Sequence, residues 1–116
     1  MKPQLEMSGQ VSKKVYFVLS GMIHIMDKNG LYEYGIIHEG SYFGDISILL
    51  NEPSEYSYCY NPYSDRSVQF LAIDADDFLK ICRSHPCSFE VMLQRALNKK
   101  LIYQSYKMMT LLGFMK

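Results

Sequence analysis

The sequence carries no excess of charge of either sign: twelve lysines and arginines are matched by twelve aspartates and glutamates over 116 residues. Nucleic acid is held by a basic face that neutralises phosphates, so this balance argues against a polyanion partner. Cysteine is scarce as well. Cys59, Cys82 and Cys87 are odd in number and form no C-x-x-C pair, which points to buried free thiols in a reducing, cytoplasmic compartment. No apolar run is long enough to span a bilayer, because the longest, residues 15–26, is broken by Ser20, Gly21 and His24. The N-terminus lacks a charged-then-apolar signal pattern, so neither membrane insertion nor secretion of this segment is expected. A chain of this length fits one domain that buries roughly 65% of its unfolded surface.

The spacings that carry common enzyme chemistry are missing too. His24, His38 and His85 are far apart, with no H-x-H or H-E-x-x-H pair to hold a metal. There is no G-x-S-x-G elbow, P-loop or dinucleotide fingerprint. Asp76 and Asp77 fall in the first turn of an expected helix, where they complement its dipole. The chain is therefore expected not to be an enzyme and to need no cofactor or metal.

What is present reads as strands followed by helices. Residues 1–13 look like a loose lead-in, with order beginning at Lys14. The β-branched and aromatic run 15–19 predicts a strand covered on both faces, bent at Ser20-Gly21. Residues 22–27 continue extended to Asn29-Gly30, a pair suited to the two positive-φ positions of a tight hairpin, with a return strand over 31–37. A turn at 38–41 leads through Tyr42-Phe43-Gly44 into a short helix, 45–50, ended by Asn51-Glu52-Pro53. Residues 54–60 alternate, with Tyr56, Tyr58 and Tyr60 on one face and Ser57 and Cys59 on the other. After the turn cluster 61–65, residues 68–73 read as the partner strand. Asp74 is a fair N-cap for a helix through Arg83, and Pro86 opens a longer one. The apolar face of that helix is expected to be Phe89, Leu93, Ala96 and Leu97, opposite Gln94, Arg95 and Asn98.

The stretch Gly40-Ser41-Tyr42-Phe43-Gly44-Asp45-Ile46-Ser47 is the most informative. A glycine followed by an acid at a helix start sets unpaired backbone N–H groups beside one carboxylate, a combination able to hold a phosphate and a sugar hydroxyl. An ordinary glycine turn before a helix with an acidic first residue gives the same residues. The stripe Phe89, Leu93, Ala96 next meets Lys100, so either Lys100 or Lys99 snorkels to water or one of them meets a ligand under the helix. The apolar tail Met108, Met109, Leu111, Leu112, Phe114 and Met115 is too long for solvent, so it packs across the strands or joins another subunit.

Together with Tyr16-Phe17-Val18-Leu19-Ser20-Gly21 and Asp76-Asp77-Phe78, this stretch resembles a cyclic-nucleotide-binding domain of the kind behind the pore of hyperpolarisation-activated, cyclic-nucleotide-gated and related potassium channels. The resemblance covers about residues 14–107. It implies a mainly β fold with C-terminal helices (α+β): an antiparallel, jelly-roll-like β-roll over 14–73, eight-stranded in the family and N-terminally truncated here, and helices over 74–116 that include a long lid. It further implies a ligand, cAMP or cGMP, at Phe43, Gly44, Asp45, Ile46, Ser47, Ser54, Glu55, Lys99 and Lys100.

Two positions depart from the family. Asp45 replaces the usual glutamate that meets the ribose hydroxyl. Ser54 and Glu55 stand where the family places an arginine for the phosphate and then Thr or Ser, a loss of about 1.5–3 kcal/mol of charge-assisted bonding. Arg66 is the nearest substitute in sequence. The implied protein is a cytosolic regulatory module of a membrane channel, with fellow channel subunits in a homotetramer as partners. The alternatives are a ligand-independent docking or oligomerisation domain with a filled or degraded pocket and, as an enzyme, a cupin-like catalyst. No helix-turn-helix follows the lid, which argues against a transcription factor.

Overall fold

The computed structural model describes residues 4–6, 11–60 and 68–112. In chain order they form β1 (Gln4–Glu6), β2 (Lys14–Ser20), β3 (Ile23–Met26), β4 (Glu33–Ile37), β5 (Tyr42–Phe43), α1 (Asp45–Leu50), β6 (Ser57–Cys59), β7 (Gln69–Asp74), α2 (Ala75–Arg83) and α3 (Pro86–Leu111). Two antiparallel sheets, ordered β1-β6-β3-β4 and β5-β2-β7, enclose the core. The expected α+β architecture of a β-roll followed by two helices is present, with seven strands among the described residues.

Several local expectations change. The lead-in contains a strand, since β1 pairs with β6. Both edges of β6 are thereby occupied, by β1 and β3, so β7 cannot pair with it and instead runs along β2 from Lys14↔Asp74 to Ser20↔Gln69. The three residues of β6 are all buried, so its alternation does not separate a wet face from a dry one. In β2 only Val15 and Val18 are fully covered, while Leu19 is 57% exposed. The hairpin after β3 is wider than a two-residue turn. Asp27 N–H donates to Tyr32 O, and the Asp27 carboxylate accepts from Leu31 N–H at 2.6 Å and Tyr32 N–H at 3.0 Å. Because this side chain closes the loop, only Gly30 needs a positive φ, and Asn29 does not adopt one. The turn cluster 61–65 lies outside the described residues.

The core between the sheets is aromatic. Phe43 stacks against Tyr16 at 4.9 Å and Tyr58 at 4.7 Å between ring centroids, with Val18, Ile23, Ile25 and Ile37 around them. A second cluster, Val15, Ile48, Phe78 and Cys82, joins the helices to the roll. Cys59 and Cys82 are buried as expected, whereas Cys87 is exposed at the start of α3. Asp74 occupies the N-cap of α2 without a side-chain cap bond. Its carboxylate lies 3.8 Å from Lys14 Nζ, and Lys13 O accepts from the first helical N–H.

The 26-residue α3 packs through Phe89, Met92, Ala96, Tyr103 and Tyr106 rather than through Leu97, which is 43% exposed. Those positions, with Lys99 between them, alternate spacings of three and four, which keeps them on one face of the helix. Met108, Met109 and Leu112 of the tail are exposed, and Phe114 and Met115 lie outside the described residues. Among the described residues no helix is long and apolar enough to cross a membrane.

Gly44 joins the roll to α1 at φ 92°, and a Cβ there would overlap the Lys14 carbonyl oxygen on β2. Both strain and backbone contact act against any side chain. Gly44→Ala is expected to destabilise the fold by about 2–4 kcal/mol in chemical denaturation. Gly30, also at positive φ but in open space, should lose less than Gly44 on the same change. Equal losses would show that contact with β2 is unimportant.

Candidate functional site

The short α1 is too small to hold itself and is pinned from both ends. Ser47 Oγ accepts from Ser12 N–H at 2.9 Å and donates to Glu52 O at 2.5 Å. Ser47 O accepts from the N–H groups of Asn51 and Glu52, with Asn51 in the left-handed region at φ 53°. These bonds fix the glycine-acid turn at the helix start, where the first amides have no intrahelical acceptor.

Asp45 is fully buried directly after Gly44. Its Oδ1 accepts from Lys99 Nζ at 2.7 Å, and its Oδ2 has no hydrogen-bond partner among the described residues. Lys99 Nζ also donates to Tyr42 O at 3.2 Å and lies 4.3 Å from the centroid of the Tyr42 ring. One residue on, Lys100 Nζ meets Glu52 Oε2 at 2.6 Å. Lys99 and Lys100 of α3 are thus joined to two acids at the ends of α1, Asp45 as its first residue and Glu52 just beyond its last. Ala96, with no exposed surface, lets the helix approach this closely.

A cavity of about 20 Å³ remains beside α1, lined by Gly44, Ile46, Ser47, Ser54, Glu55 and Lys100 among others. It has room for a water molecule or so, whereas small-molecule pockets ordinarily measure roughly 300–1,000 Å³. Six of the nine expected site residues therefore meet around one small space. The other three do not line it: Phe43 is stacked in the core, and Asp45 and Lys99 are turned toward each other.

At the position of the missing arginine, Ser54 Oγ is engaged in its own turn, donating to Tyr56 O at 2.8 Å and accepting from Tyr56 N–H at 3.2 Å. Glu55 places a carboxylate at the exposed lip. Arg66 lies outside the described residues. The sequence reading missed Tyr42, Glu52 and Tyr103. Extending the three-and-four spacing from Phe89 through Lys99 would have found Tyr103.

Tyr103 packs edge-on against Tyr56, 5.4 Å between centroids. Burial, and next the negative charge of Asp45, push its phenol up to about 12. The Tyr56 phenol is raised as well, first by burial and then by the charge of Glu55. The unfolded chain ionises its tyrosines near 10 and so sheds protons first, which makes stability fall as pH rises through the folded value. The fold should lose stability between pH 10 and about 12, and Tyr103→Phe should flatten that loss in denaturation curves followed by circular dichroism. A slope unchanged in the variant would remove Tyr103 as its source.

The sequence profile of the cyclic nucleotide-binding domain matches residues 7–85. No curated protein matches the chain. Among solved structures, the fold is similar to part of the EAL enzyme Bd1971 in its cAMP- and cyclic-di-GMP-bound form, with a TM-score of 0.64 and 17% sequence identity. That similarity covers 86% of this chain and 27% of the enzyme's, so the chain spans about a quarter of that protein. The profile match extends from β2 through β7, with the Gly44–Asp45 turn, to α2, and the chain belongs to the cyclic nucleotide-binding domain family.

Proposed function

We propose that this chain is a regulatory module in which α3 is the resident occupant of the nucleotide cassette and cAMP or cGMP binds by displacing it. The observation that carries this reading is Asp45: a buried carboxylate with one oxygen held by Lys99 and the other left for a donor. A ribose hydroxyl is such a donor, and the amides that start α1 suit the cyclic phosphate beside it. With about 20 Å³ beside α1, the nucleotide enters only if α3 moves away. Occupancy and helix movement are then one event, and the apparent affinity is lowered by the fraction of molecules whose lid is open. Such a module needs no chemistry of its own.

The channel-like wording of residues 40–47 favours a cytosolic position beside a cation-channel pore, with tetramer symmetry bringing four copies together. Six apolar spans upstream in the full-length gene product would support that context, and a catalytic domain in their place would overturn it.

Ser54 and Glu55 favour a second reading, a docking domain that no nucleotide enters. Isothermal titration with cAMP and cGMP separates the two. The sensor reading expects weak binding by the native chain and tighter binding by Lys100→Ala, which loosens the lid without stranding a buried charge. It expects a further gain of roughly ten- to a hundred-fold in Ser54→Arg, from the restored charge-assisted bond. A distance between labels on α3 and on the roll should lengthen on binding. No heat at millimolar nucleotide for any of the three proteins would leave the docking reading.

A further inference from the structure

On the flank of α3 away from Lys100, a second and much larger groove of about 370 Å³ lies between the helix and the turn that precedes α1. Ser41 and Tyr42 form one wall, and Arg95, Asn98, Lys99 and Ile102 form the other. Arg95 and Lys99 stand one helical turn apart, an arrangement of like charges that weakens a helix unless an anion compensates it. Both bear on Tyr42: the Arg95 guanidinium lines the groove beside it and favours its ionised phenol, and Lys99 lies over its ring. Asp45 is the carboxylate acting on this group, and its bonded oxygen is taken by Lys99. Among the described residues no carboxylate forms an ion pair with the Arg95 guanidinium. Asn98 accepts from Gln94 through Oδ1, so its own NH₂ is not used in that bond. Beside them Ile102 is 48% exposed.

We propose that this groove is a second ligand site, separate from the cassette, for a phosphorylated small molecule of nucleotide size. Arg95 supplies the paired donors that fit a phosphate, Asn98 and Ser41 add neutral hydrogen bonds, and Ile102 receives the apolar part. Lys99 belongs to both sites. An anion in the groove competes with Asp45 for its ammonium, so filling the groove weakens the hold of the lid on the cassette, and the coupling is reciprocal. The groove site stands on its own lining residues, whereas the coupling rests on the reading of α3 as a displaceable occupant.

NMR titration of the whole chain with 5′-AMP and with inorganic pyrophosphate tests the site. Saturable shifts are expected at the Asn98 side-chain amide, the Ser41 backbone and the Ile102 methyl, with AMP binding more tightly than pyrophosphate. Arg95→Gln should weaken AMP binding by about tenfold or more, as expected for loss of a charge-assisted phosphate contact. Arg95 is exposed, so the variant should keep the native melting temperature, which confirms that the loss is one of binding. Absence of saturable shifts at millimolar AMP, or undiminished binding by Arg95→Gln, would overturn the site. Shifts confined to Gly44 and Ser47 would place AMP in the cassette and also overturn it, leaving the sensor reading intact. Shifts at Asn98 without any cyclic-nucleotide binding at Ser47 would uphold the groove and defeat the sensor.

Discussion

The contact between Lys99 Nζ and Asp45 Oδ1 fixes how the helical half of the chain sits on the β half. A carboxylate with no exposed surface is costly to keep charged, and a single well-placed cation is what makes it tolerable. That cation comes from a residue 54 positions away, at the one turn of α3 where a small side chain, Ala96, brings the helix against α1. The neighbouring Lys100–Glu52 pair is about as short but lies nearer solvent, so it holds α3 more weakly than the buried pair does. The two lysines are therefore unequal partners. Lys99 sets the register of the lid, and Lys100 closes its edge.

The roll prepares its side of this contact with backbone rather than with charge. Gly44 turns the chain at a conformation and a closeness to β2 that a side chain would prevent. Ser47 then ties α1 to Ser12 on one side and Glu52 on the other. Phe43, one residue before the glycine, is stacked on both faces and so anchors the turn in the aromatic core. The turn and α1 are consequently a ledge held by backbone and Ser47 bonds, with α3 resting on it through Lys99.

How much of this was legible depended on whether the signal was local. The short helix over 45–50, the end of α2 at Arg83 and the start of α3 at Pro86 follow from local capping and proline geometry, and the structure places all three where the sequence does. Six of the nine expected site residues meet at one cavity because they lie on or beside one pinned turn. The strand at residues 4–6 was not legible, since three residues carry no period and are held by β6 alone. Nor was the pairing of β7, which follows from β6 having no free edge. The Asn29-Gly30 pair suggested a tighter hairpin than forms, because the Asp27 carboxylate supplies the closure from outside the turn.

The lid shows the boundary most clearly. Its sequence alone determined that a lysine interrupts an apolar stripe, because the 3.6-residue repeat places Lys99 and Lys100 near the line through Phe89 and Ala96. Either lysine could have reached water by that rule. Only the tertiary structure decided that both turn inward, since the acids that receive them, Asp45 and Glu52, belong to another element and reach the helix through the folding of the roll. Periodicity acts along one chain segment, whereas neutralising a buried charge requires two distant segments at the same place, and no local pattern encodes that meeting.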